Sequence, residues 1–188
     1  MRYAGLMKND IADGLHGMCV SFWFQGCENK CNGCQNPQTF DKNGGMELPT
    51  NYIDMICDAI TANGIKRNLS LLGGDGLAPY NLELTYDIVK KIREKFNNIE
   101  IILWTGYTLN ELRKRSIIES NGDLINKIFY YVDYVIDGRY EKDKRDVTLK
   151  LRGSSNQRIY KFFDTYFGNI KVRDYTDVTD DIDKGINI

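Results

Sequence analysis

Histidine is nearly absent, with one copy among 188 residues, at position 16. A structural zinc site usually takes four ligands, as two C-x-x-C pairs or a Cys/His mixture, and this chain has no second pair to offer. The cysteines number five, an odd count, and no secretory leader is visible at the start. Both points argue against an oxidised disulfide framework. Charge of either sign is not in excess: the formal net charge is −1, which gives no electrostatic case for nucleic acid as a partner. No apolar run approaches the roughly 20 residues of a membrane span. Repeats and low-complexity segments are missing too. What remains reads as one soluble domain over residues 1–188, with room for a proper core and reduced thiols that point to the cytoplasm. Residues 170–188 read as a C-terminal tail.

Against this background the informative stretch is Gly26-Cys27-Glu28-Asn29-Lys30-Cys31-Asn32-Gly33-Cys34-Gln35-Asn36-Pro37. Its C-x3-C-x2-C spacing follows an apolar run, residues 19–24, that reads as a buried strand. Three thiolates from one short loop can hold three corners of an iron–sulfur cube and leave the fourth iron open to a substrate. Zinc or incidental thiols are the rival readings, and His16 would have to fold back to serve zinc. Cys19 and Cys57 sit in apolar patterns and read as core.

Strands and helices alternate along the rest of the chain. Thr50 reads as the N-cap of a helix carrying Ile53, Ile56, Cys57 and Ile60, which Asn63-Gly64 ends. A short strand, residues 69–72, breaks at Gly73-Gly74-Asp75-Gly76. A second helix starts near Asn81, with Leu84, Ile88, Ile92 and Phe96 on one face. A strand over residues 99–104 stops at Thr105-Gly106-Tyr107. Thr108 to Glu111 form a capping box for a third helix, and a last strand over residues 131–136 ends at Asp137-Gly138. Such alternation predicts an α/β fold with a mostly parallel sheet, and the chain is short of the ~250 residues of a closed eight-stranded barrel, so an open partial barrel is expected. Each unusual loop follows the C-terminal end of a strand, the edge where active sites of parallel α/β folds assemble. Gly73 and Gly74 let backbone approach a ligand, and Asp75 offers a carboxylate suited to an ammonium. Taken alone, residues 73–76 read as a tight turn, and residues 152–158 as an exposed polar turn.

Together these residues resemble the activating proteins of anaerobic ribonucleoside-triphosphate reductase, a small branch of the radical S-adenosylmethionine (radical SAM) enzymes. The marks are the cysteine motif, Gly73-Gly74-Asp75, Trp104-Thr105-Gly106-Tyr107, Asp137-Gly138-x-Tyr140 and Arg152-Gly153-Ser154-Ser155-Asn156-Gln157-Arg158, within residues 13–158. The resemblance implies a barrel of the radical SAM type and a 4Fe–4S cluster on Cys27, Cys31 and Cys34. It implies S-adenosylmethionine on the fourth iron, contacted around Gly33, Cys34 and Gln35 and by Gly73, Gly74 and Asp75, with no catalytic side chain beyond cluster and cofactor. It also implies an oxidoreductase that makes a glycyl radical on the reductase's glycyl-radical subunit, fed by a donor such as flavodoxin or ferredoxin. A radical SAM enzyme for another glycyl-radical protein or a small molecule, and a non-enzymatic metal or electron-carrier module, are the alternatives. Two positions depart from the family pattern: Gln35 replaces an aromatic residue and Gly76 a proline.

Overall fold

The computed structural model describes residues 1–167 and 170–186. Its elements are β1 (Arg2–Asp10), β2 (Cys19–Phe24), β3 (Met46–Glu47), α1 (Tyr52–Thr61), β4 (Asn68–Gly73), α2 (Leu82–Lys95) and β5 (Ile101–Trp104). There follow α3 (Leu109–Ile118), α4 (Asp123–Tyr131), β6 (Tyr134–Asp137), β7 (Arg158–Phe167), β8 (Ile170–Asp177) and α5 (Thr179–Asp183). One sheet takes the order β3-β1-β2-β4-β5-β6-β7-β8.

The sheet corrects one expectation. Only the β2–β4, β4–β5 and β5–β6 pairings are parallel; β1–β2, β1–β3, β6–β7 and β7–β8 are antiparallel, so the sheet is mixed and mostly antiparallel. The reason is connectivity. Parallel neighbours need a crossover, usually a helix, and α1, α2 and the α3–α4 pair supply three; the outer strands have none and pair by reversal. The stretch from residue 170 read as a tail contains β8 and α5, and Val178 and Ile182 are buried.

Both faces of the parallel centre are covered in part, as its unbroken apolar runs require. Alternate residues part to opposite sides. Phe22, Phe24, Leu69, Leu71, Ile101, Leu103 and Val135 join the larger core with Ile56 and Ile60 of α1 and Ile88 and Ile92 of α2. Ile102, Tyr134, Ile136 and Ile159 form a second, smaller cluster with Val178 and Ile182. The Thr108 capping box forms as the sequence predicts, with both reciprocal bonds present. Three local expectations shift. The α1 N-cap is Asn51, without a side-chain bond, in place of Thr50. Cys57 is half-buried at the margin of the core, whereas Cys19 is fully buried. Tyr131 closes α4, and β6 begins only at Tyr134.

Candidate functional site

Strands β2, β4, β5 and β6 end at one edge, and β7 starts there because it runs antiparallel to β6, pairing Arg158 with Asp137. The loops at that edge enclose a cavity of about 330 Å³. Cys27, Cys31, Cys34 and Gln35 line it on one side, and Gly73, Gly74, Trp104 and Thr105 on another. Gly138, Tyr140, Arg152 and Gln157 complete the rim. Asp13 reaches the cavity from the β1–β2 connection, which folds across the sheet so that the Ser70 hydroxyl donates to the Asp13 carbonyl at 2.6 Å.

Backbone bonds close the cysteine loop on itself. Gly26 N donates to Thr39 O at 2.8 Å and Cys27 N to Phe40 O at 3.2 Å, while the buried Gln25 amide holds the carbonyls of Gln38 and Asp41 at 3.1 and 2.7 Å. Pro37 opens a single 3-10 turn, where a missing N–H costs nothing. Burial pushes the Cys27 and Cys31 thiols up from their ordinary value. Peptide N–H groups oppose that shift: those of Asn29 and Lys30 at Cys27 and of Tyr140 at Cys31. Asn36 N donates to Cys34 Sγ at 3.3 Å. Donors aimed at sulfur favour thiolate, and around a cluster they tune its potential.

Among the described residues the cavity wall offers no fourth thiol and no imidazole; its one carboxylate is that of Asp13. The His16 ring is bonded to Glu100 at 2.6 Å and lies off the cavity wall. Among the described residues, no three His, Cys, Asp or Glu side chains gather closely enough to hold a single metal ion. Three thiols spread around one cavity suit a polynuclear cluster instead, since its ligands sit on separate irons. The donor set therefore fits a cube with one iron left open.

Asp75 does not take the expected position. It is 1% exposed and lies behind the wall of the cavity, not on it. Its carboxylate accepts from Asn29 Nδ2 at 3.0 Å, Leu77 N at 2.9 Å, Gly106 N at 3.0 Å and the Thr105 hydroxyl at 3.0 and 3.2 Å. Burial pushes its carboxyl up to about 6 against the pull of these donors. One side chain thus ties together the cysteine loop, the Gly-Gly-Asp loop and the Trp-Thr-Gly-Tyr loop.

Gly74 lines the cavity, but its lack of a side chain answers first to backbone. Gly74 N donates to Phe24 O and Asp75 N to Gly26 O, both at 2.9 Å, and a Cβ on Gly74 would stand 2.4 Å from Gly26 O. Gly74→Ala is therefore expected to push the loop off Gly26, next to Cys27, and to cost about 1–3 kcal/mol before any ligand is added. Thermal melting of the apo-protein measures it; an unchanged midpoint would refute the account. Gly76 also has a reason: a Cβ there would meet the Phe24 ring at 2.7 Å, so Phe24 fills the space of the usual family residue.

The Asp13 carboxyl is pushed up to about 6 by burial and by the charge of Asp10. Asp10 itself stays below its ordinary value despite burial, because Ser21 and the N–H groups of Ala12 and Asp13 donate to it. A folded value above the ordinary 3.8 gives Asp13 a stabilising contribution that is present below that pH and lost as pH rises through about 6. Asp13→Asn, fixed in the neutral form, is expected to match the wild type near pH ~4 and to exceed it at pH ~7. Urea denaturation at both values checks this, and a gap that does not change between them contradicts it.

The sequence assigned Cys27, Cys31, Cys34, Gln35, Gly73 and Gly74 to one site, and the structure sets all six around one cavity. Gly33 is exposed beside Tyr140 and Lys142, next to that wall. Asp13, Asn29 and Arg152 were assigned no role. Asn29 could have been suspected from its place between two of the cysteines; nothing local marks Asp13.

Over residues 13–160 the chain matches the family described as a 4Fe-4S single cluster domain. The fold and the three-thiol cavity thus belong to a protein of the iron–sulfur class. Similar proteins narrow the class. An anaerobic ribonucleoside-triphosphate reductase-activating protein of Pasteurella multocida is 35% identical over 163 residues, covering 86% of this chain and 98% of that protein. Proteins of the same name from Escherichia coli and Enterobacteria phage T4 are 34% and 32% identical over 161 residues, 85% of this chain and 98% and 94% of theirs. The chain belongs to the family of anaerobic ribonucleoside-triphosphate reductase-activating proteins, as its motifs led one to expect.

Proposed function

We propose that this protein is a radical SAM activase of the oxidoreductase class, which cleaves S-adenosylmethionine reductively and generates a glycyl radical on an anaerobic ribonucleoside-triphosphate reductase. The observation that carries this reading is one cavity shared by Cys27, Cys31 and Cys34 and by the Gly73–Gly74 edge, with no fourth thiol or imidazole on its wall among the described residues. The names of the similar proteins supply the substrate.

Cys27, Cys31 and Cys34 would hold the 4Fe–4S cluster, and Gly33, Cys34, Gln35, Gly73 and Gly74 would border the bound S-adenosylmethionine. When bound, the cluster would supply the single electron needed for reductive cleavage of S-adenosylmethionine, the chemistry that leads to hydrogen-atom abstraction from a glycine of the reductase. The chain's own residues place and enclose the reactants. Asp75 serves this indirectly, by fixing three loops around the cavity. The sheet of residues 1–188 would curve as an open partial barrel of the radical SAM type, leaving an open side for a loop of the glycyl-radical subunit. No described helix is long and apolar enough to cross a membrane. We place the protein in the cytoplasm, where a flavodoxin or ferredoxin would deliver the electron.

The test is anaerobic incubation of reconstituted protein with the reductase, dithionite and S-adenosylmethionine, followed by electron paramagnetic resonance. A glycyl-type doublet is expected only with all components present. Cofactor cleavage without the doublet would redirect the activity to another substrate, and no cleavage at all would leave an electron carrier.

A further inference from the structure

The turn over residues 153–157 belongs to the last of the sequence motifs, and the proposed chemistry gives it no task. Its side chains are spent on backbone. Asn156 Nδ2 donates to Arg139 O at 2.8 Å, Gln157 Nε2 donates to Gly138 O at 3.0 Å, and Ser154 Oγ accepts from Glu141 N at 3.2 Å. Three residues of one turn thus hold the segment over residues 138–141 on both sides of Tyr140. The turn is itself braced. Gln157 Oε1 accepts from Gly153 N at 2.9 Å and from Ser154 N at 3.2 Å, and Arg152 Nη1 donates to Gln157 O at 3.2 Å.

The segment so held lies against the cysteine loop. A Cβ on Gly33, between Cys31 and Cys34, would stand 3.5 Å from Tyr140 Cε1, and Tyr140 lines the same cavity as the three thiols. Its peptide N–H donates to the Cys31 sulfur. That N–H and Arg139 O belong to one peptide group, which is therefore gripped at both ends. Asn156 donates to its oxygen, and its own N–H donates to sulfur. The N–H cannot swing away from Cys31 without straining the Asn156 bond, and a donor on the carbonyl also polarises the N–H. Asn156 Oδ1 is buried without a partner, so the amide sits there at a cost, and the bond from Nδ2 is what it supplies.

We propose that Asn156 is a positioning residue for the iron–sulfur cluster: through the Arg139–Tyr140 peptide it aims one N–H at Cys31 and so raises the cluster's reduction potential. This inference rests on the proposed function, and within it only on the cluster held by Cys27, Cys31 and Cys34. The direction follows from charge. Reduction makes the cluster more negative, a donor bonds more strongly to the more negative sulfur, and the reduced state gains more than the oxidised one. The turn would thus make the cluster easier to load with its one electron, from a place that touches neither iron nor substrate. The Arg139 side chain is held away on the far side by Glu111, at 2.9 and 3.0 Å, which fixes the same residue a second time.

The experiment takes the reconstituted full chain without S-adenosylmethionine and makes two measurements. Pulsed electron paramagnetic resonance of the dithionite-reduced cluster, with ¹⁵N-tyrosine incorporated, is expected to show one coupled tyrosine nitrogen in the wild type. Peptide donors at the other two thiols come from Asn29, Lys30 and Asn36, so the label singles out Tyr140. Asn156→Ala is expected to lose that coupling. In an anaerobic redox titration its midpoint should fall by the equivalent of about tenfold in the reduction equilibrium, about 59 mV for one electron. Ser155→Ala, on the same turn with an exposed side chain, is expected to change neither. An unchanged midpoint in Asn156→Ala at full iron content confines the turn to a structural role and overturns the proposal, as does a wild-type spectrum without the tyrosine nitrogen. If Asn156→Ala fails to fold, Asn156→Asp keeps the shape and removes the donor, and retention of the tyrosine coupling in it overturns the proposal. A wild-type chain that takes up no iron overturns the ligand assignment in the proposed function, and this inference with it.

Discussion

Replacing any one of Cys27, Cys31 or Cys34 with alanine is expected to leave the anaerobically reconstituted chain without its cluster. The three thiols share one cavity, and among the described residues the one other His, Cys, Asp or Glu side chain on its wall is Asp13, so no fourth thiol or imidazole stands ready to take a lost place. A cube held at three corners has no reserve: two remaining thiolates leave two irons to solvent, and the cluster falls apart under chelators. The other cysteines are controls. Cys57 sits half-buried on α1 and Cys19 is fully buried at the start of β2 near the Ser21 hydroxyl, both away from the cavity wall. Cys57→Ala should retain full iron and sulfide content. Iron per chain and the cluster's charge-transfer absorbance are the measurements. Full iron retention in Cys31→Ala, or stoichiometric zinc and no iron in the wild type, would refute the assignment of the ligands.

Asp75→Ala is expected to be the most damaging single substitution for the apo-protein. It would orphan the Asn29 amide, the Thr105 hydroxyl and the N–H groups of Leu77 and Gly106. Buried donors left unpaired cost about 1–3 kcal/mol each, and partial relaxation brings the sum to about 3–5 kcal/mol. For a chain of this size the melting midpoint should fall by roughly 2–4 °C per kcal/mol. If the carboxylate bound a ligand ammonium instead, the apo-protein would melt normally and only cofactor affinity would suffer. Melting curves taken without iron or cofactor separate the two accounts.

That contrast shows where sequence reading reaches its limit. The apolar runs that became β2, β4 and β5 were legible because strands covered on both faces are written as near-continuous hydrophobic stretches. Helix α2 was legible from its four-residue stripe, and α3 from its capping box. By contrast, β1 intersperses charges and a glycine among its apolar residues, and β7 and β8 pair charged with aromatic residues at the sheet's edge. Such strands carry weak alternation and owe their existence to their partners. Tyr131, the last residue of α4, was read into the following strand because tyrosine favours strands when only a short window is read. At the site, spacing along the chain was enough for the three cysteines, whose chemistry is local. It was not enough for Asp75, whose meaning lies in four donors drawn from three loops.

Three of those donors are far away along the chain. Asp75 meets Asn29 across 46 residues, and Thr105 and Gly106 across 30 and 31. Contacts of that separation demand that loop-closure entropy be overcome first, and parallel pairings built on crossovers are among the slower ones to form. The cavity is therefore an outcome of the finished sheet, and cannot mature as an independent loop while the sheet is still assembling. On the proposed ligand assignment, metal loading would follow folding: the cysteine loop would meet iron and sulfide in its working shape only once β2, β4 and β5 are side by side. Ligand linkage then runs in one direction, since a cluster bound only by the completed rim draws the equilibrium toward the folded chain and slows the opening of the loops that hold it.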